Sequence, residues 1–130
     1  GIALVDNRAY IGKTGKEVIH LDSNYFGSPF SEGLAKAEYS DKGLRKSHSI
    51  CFIDTTGKWV LPSHKEWDGA RAFSDGLAAA SVRPASGELR GIRWGYIDKS
   101  GKWVIQPQFK EVRSFHEGRA AVQLAGWRER

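Results

Sequence analysis

Hydrophobic and polar positions alternate along this chain in short stretches, and no helical period is sustained for ten residues. In the run Trp94-Gly95-Tyr96-Ile97-Asp98, the first, third and fifth residues fall on one side and the other two on the opposite side. Period two in aromatic and β-branched residues predicts a strand. Two further strand-like pieces follow it, Lys102 to Ile105 and Arg119 to Gln123. The stretch from Phe109 to Phe115 leaves room for one helical turn and no more.

These three pieces recur. Residues 94–123, WGYIDKSGKWVIQPQFKEVRSFHEGRAAVQ, align with 51–82 and with a segment starting at residue 9. The turn glycines Gly15, Gly57 and Gly101 stand 42 and 44 residues apart, and Phe30, Phe73 and Phe115 stand 43 and 42 apart. Two independent markers thus give one period near 43. The repeats span approximately 9–39, 51–82 and 94–123, with partial repeats at 1–5 and 126–130. The register suggests a window from a longer array, and a chain beginning at Gly1 is expected to be a processed product or a fragment.

A repeat of this size cannot bury a core alone, so neighbours must stack. The expected fold is all-β: tandem three-stranded antiparallel meander repeats in an open, curved array, residues 1–130 forming a single array. Closure into a propeller usually takes at least about four blades of four strands. An open array leaves strand edges at residues 1–5 and 119–127 for self-association.

The turns carry a mechanism. Asp98-Lys99-Ser100-Gly101-Lys102 matches Asp54-Thr55-Thr56-Gly57-Lys58. A short hairpin loop of this kind closes with a left-handed residue, which favours glycine, and the aspartate accepts backbone N–H groups at its start. The first repeat has Gly12 at the aspartate position, so a looser turn is expected there. Pro62 and Pro107 cannot donate to a ladder and are read as strand ends. Each recurrent phenylalanine is read as a core plug, and Gly33, Gly76 and Gly118 as tight corners into the third strand.

The string from Trp94 to Lys102, then Ile105-x-Pro107, then Phe115-x-x-Gly118-x-Ala120, resembles the bacterial WG repeat family, also called KWG repeats. The second repeat departs at its opening, with Cys51-Phe52, and the first lacks the WG pair, the turn aspartate and the proline. The resemblance implies an all-β tandem array without a common catalytic activity, serving as an interaction or scaffold module. It carries over no functional residues.

Composition adds charge and removes several classes. The chain has 130 residues, 20 Lys plus Arg against 15 Asp plus Glu, and a net charge of +5. With 40% hydrophobic and 27% charged residues it reads as globular. One cysteine excludes an internal disulfide and a multi-cysteine zinc site. No apolar run approaches the length of a membrane-spanning helix, no signal peptide is visible, and the compartment is left open.

No reactive constellation emerges. Gly12-Lys13-Thr14 echoes a phosphate-binding loop, but Asn7 stands where its first glycine belongs. His20, His48, His64 and His116 lack metal-ligand spacing. Glu32, Asp75 and Glu117 recur at the repeat period, which argues for equivalent structural work rather than acid–base catalysis. Cys51 reads as a small buried hydrophobe. Trp59 with Trp103, and Tyr10 with Phe52 and Tyr96, read as core layers. No enzyme activity, cofactor or metal is expected.

The basic excess gathers in the connections between repeats, Ser40 to Ser49 and Pro84 to Ile92. Lys42, Arg45, Lys46, Arg83, Arg90 and Arg93, with the less repeat-bound Trp67 and Trp127, form the candidate binding edge. The expectation is a non-catalytic binding or scaffold module for a protein partner. The alternative is recognition of carbohydrate or an anionic polymer, nucleic acid included, on the same basic, aromatic edge.

Overall fold

A computed structural model of the chain describes residues 1–22, 24–40, 48–61 and 67–124. The described residues form twelve strands and one 3-10 turn, Leu89–Gly91, and no α-helix. The strands are β1 (Ala3–Val5), β2 (Ala9–Ile11), β3 (Glu17–His20), β4 (Tyr25–Gly27), β5 (Leu34–Ser40), β6 (His48–Asp54), β7 (Trp59–Leu61), β8 (Gly69–Ala70), β9 (Ala78–Val82), β10 (Arg93–Ile97), β11 (Trp103–Val112) and β12 (Val122–Leu124). They pair antiparallel, each with its neighbours in sequence, in three sheets: β1-β2-β3, β4-β5-β6-β7 and β8-β9-β10-β11-β12. No sheet closes on itself.

The fold is thus the expected set of antiparallel meanders, with one refinement. Each sheet takes strands from two successive repeats: β5 of the first pairs with β6 of the second, and β9 of the second with β10 of the third. The chain divides into two compact units, Gly1–His64 and Lys65–Arg130, and the division falls inside the second repeat.

The hairpin turns follow their sequence. Asp98 N–H donates to the Lys102 carbonyl at 2.9 Å, and Gly101 N–H to the Asp98 carbonyl at 3.0 Å, with Gly101 at φ 84°. The Asp98 carboxylate accepts from Ser100 Oγ at 2.6 Å, Ser100 N–H at 2.8 Å and Lys102 N–H at 3.1 Å. Asp54 repeats this set with Thr56 and Lys58. In the first repeat Gly12 N–H still reaches the Lys16 carbonyl at 3.0 Å. The backbone frame therefore stands without the carboxylate, which adds to the turn rather than building it. The phosphate-loop echo is this same hairpin turn.

The hydroxyl of Ser100 is the main cause that holds the Asp98 carboxyl below its ordinary value, and Thr56 does the same for Asp54. A depressed carboxylate stabilises the fold above its unfolded value, about 3.9, and loses that contribution as pH falls through the lower folded value. Urea melts between about pH 5 and pH 2 should show an acid limb that is shallower in Asp98→Asn than in the parent. An unchanged limb would detach these turns from acid stability.

The corners are two-residue hairpins. Ser31 and Leu34 exchange N–H···O bonds of 2.9 and 3.1 Å, and Ser74 with Leu77 and His116 with Arg119 exchange bonds of 2.8 and 3.1 Å. Both central residues have positive φ: Glu32 and Gly33 at 54° and 81°, Asp75 and Gly76 at 53° and 78°, Glu117 and Gly118 at 53° and 78°. That geometry is the type I′ turn whose twist matches the strands it joins. Glycine suits the second position, while the carboxylate residue carries local strain in the first.

Behind each corner sits the aromatic core. Tyr10, Phe52 and Tyr96 are buried, as expected. Small partners make room for them: Tyr96 lies opposite Ala79, and Tyr10 packs in one cluster with Ala35, Ala37 and Cys51. The plug Phe30 meets Tyr10 edge-on at 5.0 Å, and Phe115 meets Tyr96 at 4.7 Å. Tyr10 and Tyr96 donate their hydroxyls to the carbonyls two residues before each plug, Ser28 at 2.7 Å and Arg113 at 2.6 Å.

Three expectations need correction. Pro107 lies inside β11 and does not end a strand. Between the pairs Tyr96↔Ile105 and Trp94↔Phe109, residues Gln106, Pro107 and Gln108 face only Gly95. This bulge leaves the proline no ladder bond to donate. Phe109 to Val112 therefore continue the strand, and the helical turn is absent. Trp59 is 43% exposed rather than a core layer, because it lies on β7, the last strand of its sheet, directly after the turn.

Candidate functional site

The inter-repeat geometry of the second unit makes a groove. The β8–β9 hairpin and the hairpin of β12 with the end of β11 are repeat equivalents, and three bonds tie them together near their corners. Arg71 donates to the Val112 carbonyl at 2.6 Å, Ser74 Oγ to the Phe115 carbonyl at 2.5 Å, and Gly118 N–H to the Asp75 carboxylate at 2.7 Å. Donor and acceptor stand 41, 41 and 43 residues apart, close to one period. The recurrent corner carboxylate thus does structural work at Asp75: it fastens one repeat to the next.

Along these hairpins runs a groove of about 720 Å³. Trp94 lines it, with the Arg71 guanidinium stacked over the indole 4.5 Å from the ring centroid. A cation on an aromatic face at a half-exposed site adds about 1 kcal/mol and fixes both groups. Arg71, Arg90, Lys110 and Arg113 supply four cations against the two carboxylates Asp68 and Glu111. One of those carboxylates, Asp68, is held by Arg83 Nε at 3.0 Å. The groove therefore offers an excess of positive charge around a tryptophan. Neither the Arg90 nor the Arg113 guanidinium is engaged by a carboxylate among the described residues.

The connection from Pro84 to Ile92 contributes less directly than its charge suggests. Arg93 donates to the carbonyls of Arg90 at 2.8 Å and Ile92 at 3.0 Å, so it pins the loop. Arg83 also reaches the Gly87 carbonyl at 3.4 Å. Only Arg90 of the three lines the groove. Lys42, Arg45, Lys46 and Trp127 lie outside the described residues.

Trp67 is a correction: expected as an exposed contact, it is 2% exposed. The signal was present in the register. Trp67 stands six residues before Phe73 as Phe109 stands six before Phe115, and Phe109 packs on the core of its unit. Sequence reasoning also missed Arg71, Trp94, Lys110 and Arg113 as groove residues. Arg71 and Arg113 each stand two residues before a plug, so the repeat alignment links them, but only folding places them beside one tryptophan.

Elsewhere, Cys51 is buried, and burial pushes its thiol up to about 12. Its Sγ donates to the Ala37 carbonyl at 3.1 Å, as a protonated thiol does. Among the described residues no three His, Cys, Asp or Glu side chains converge to hold a metal, and no helix is long and apolar enough to cross a membrane.

A family model described as the WG containing repeat matches residues 9–42, 52–83 and 94–126. No curated protein and no solved structure matches the chain.

Proposed function

The chain belongs to the WG-containing repeat family, and from that premise we propose that it is a non-catalytic binding module whose second unit takes an acidic segment of a protein partner in the groove beside Trp94. The observation that carries this reading is the four-to-two excess of cations over carboxylates around a half-buried indole. Charge of this kind speeds encounter and selects acidic partners, and the aromatic floor supplies contact area at low entropy cost. The cations come from separate pieces of the unit that the inter-repeat bonds hold in place, so the site is organised before a ligand arrives.

The test uses the full chain and a synthetic Asp/Glu-rich peptide of about twelve residues, titrated by calorimetry at low and at moderate salt. Arg90→Glu with Arg113→Glu should weaken binding at least about tenfold while leaving the circular dichroism spectrum unchanged. Both side chains are exposed, so the substitutions spare the core. Equal binding by the doubly reversed variant would reject the groove. Tighter, steeply salt-dependent binding of a single-stranded polynucleotide would replace the acidic peptide with a nucleic acid.

A further inference from the structure

A second cluster, in the first unit, differs in chemistry from the groove. Tyr25 on β4 meets Tyr39 on β5 at 5.2 Å between ring centroids and 64° between planes. It also meets Trp59 on β7 at 5.1 Å and 52°. The three rings form an angular aromatic surface, of which Trp59 is 43% exposed.

The repeat fold does not require these tyrosines. At the position of Tyr25 the later repeats carry Asp68 and Lys110, and at that of Tyr39 they carry Val82 and Leu124. Nor are the hydroxyls committed among the described residues. Tyr10 and Tyr96 donate theirs to carbonyls, whereas the phenols of Tyr25 and Tyr39 make no hydrogen bond among the described residues. The charges on β5 do not dominate this face. Lys36 and Glu38 pair at 3.1 Å, and strand alternation puts them on the side opposite Tyr39.

We propose that Tyr25, Tyr39 and Trp59 form a carbohydrate subsite, in which the indole stacks against the C–H face of a pyranose ring and the two phenols bond its hydroxyls. An exposed indole offers a flat apolar face, and adjacent phenols offer both donors and acceptors. A neutral, hydroxyl-rich ring with one apolar face matches that combination better than an anion does. Burial of Tyr25 is the main cause that pushes its phenol up, so the group stays protonated and able to donate. The site is separate from the acidic-segment groove, and either reading can fail without the other.

The experiment follows the indole N–H signals of the full chain by 15N NMR as cellohexaose, chitohexaose or xylohexaose is added. At least one should shift the Trp59 signal saturably, and Trp59→Ala should abolish that binding. Tyr25→Phe and Tyr39→Phe keep the rings and remove one hydroxyl each, so each should weaken binding about fivefold, the loss of one neutral hydrogen bond. If Trp59→Ala does not fold, the double phenylalanine variant carries the test, with a loss of about twenty-five-fold expected. No Trp59 shift with any of the three sugars would overturn the proposal. Affinity unaffected by removal of both hydroxyls would overturn it equally.

Discussion

Gly95→Ala should destabilise the second unit by about 3 kcal/mol, at the upper end of the usual cost of forcing extra atoms into a packed site. A Cβ built on Gly95 would lie 2.3 Å from the Ile105 carbonyl oxygen, 2.7 Å from Pro107 N and 2.8 Å from Gln106 C. All three obstacles are backbone, so no side chain can rotate away. Pro107→Ala should not rescue the variant, because the carbonyl of Ile105 stays where it is. Gly12→Ala is the control: its new Cβ would meet Val18 Cγ1 at 3.6 Å, an ordinary contact, and should change stability by less than about 0.5 kcal/mol. Urea melts of the three proteins check both statements. A Gly95→Ala loss below about 1 kcal/mol would mean that the bulge opposite Gly95 yields easily.

This clash explains a coupling within the repeat motif. In the third repeat the glycine of the Trp-Gly pair faces the three-residue bulge that contains Pro107. In the first repeat neither element is present. Ala9 stands at the glycine position and pairs directly with His20, while Tyr10 pairs with Ile19. Where the second strand runs without the bulge, a β-carbon fits. Glycine in the third repeat thus belongs with the bulge of the facing strand: opposite the bulge a β-carbon clashes, and without it one fits.

Features that recur at the period were legible in the sequence. The Asp-x-x-Gly turns, the aromatic strand openings, the phenylalanine plugs and the glycine corners each appear three times or nearly so, and each depends on local geometry or on alternation. The pairing of β9 with β10 was not legible, since alternation shows which face a residue takes and not which strand lies beside it. Pro107 misled because its missing N–H signals a strand end only where the ladder is regular, and here a bulge accommodates it. The groove was hidden for a further reason. Arg71 and Lys110 are far apart in sequence and meet beside Trp94 only because two hairpins lie side by side. Basic residues in the connections were visible, but Arg93 turned out to be spent on holding its own loop. Loop charge alone does not distinguish a binding arginine from a structural one.

Alanine at the three plug positions should rank their burial. Phe73→Ala should cost about 4 kcal/mol, because the ring is completely covered and its removal leaves a cavity. Phe30 and Phe115 are half-buried, although each keeps an edge-on aromatic partner. Their alanine variants should cost about 2 kcal/mol, since part of each ring already faces water and the space can fill with solvent. The aromatic contact itself contributes on the order of 1 kcal/mol of that loss. Denaturation of the three variants under one condition decides the order. Equal losses would show that burial does not set the cost. A smaller loss at Phe73 would mean that its surroundings collapse onto the vacated space, which the fixed type I′ corner at Asp75-Gly76 opposes.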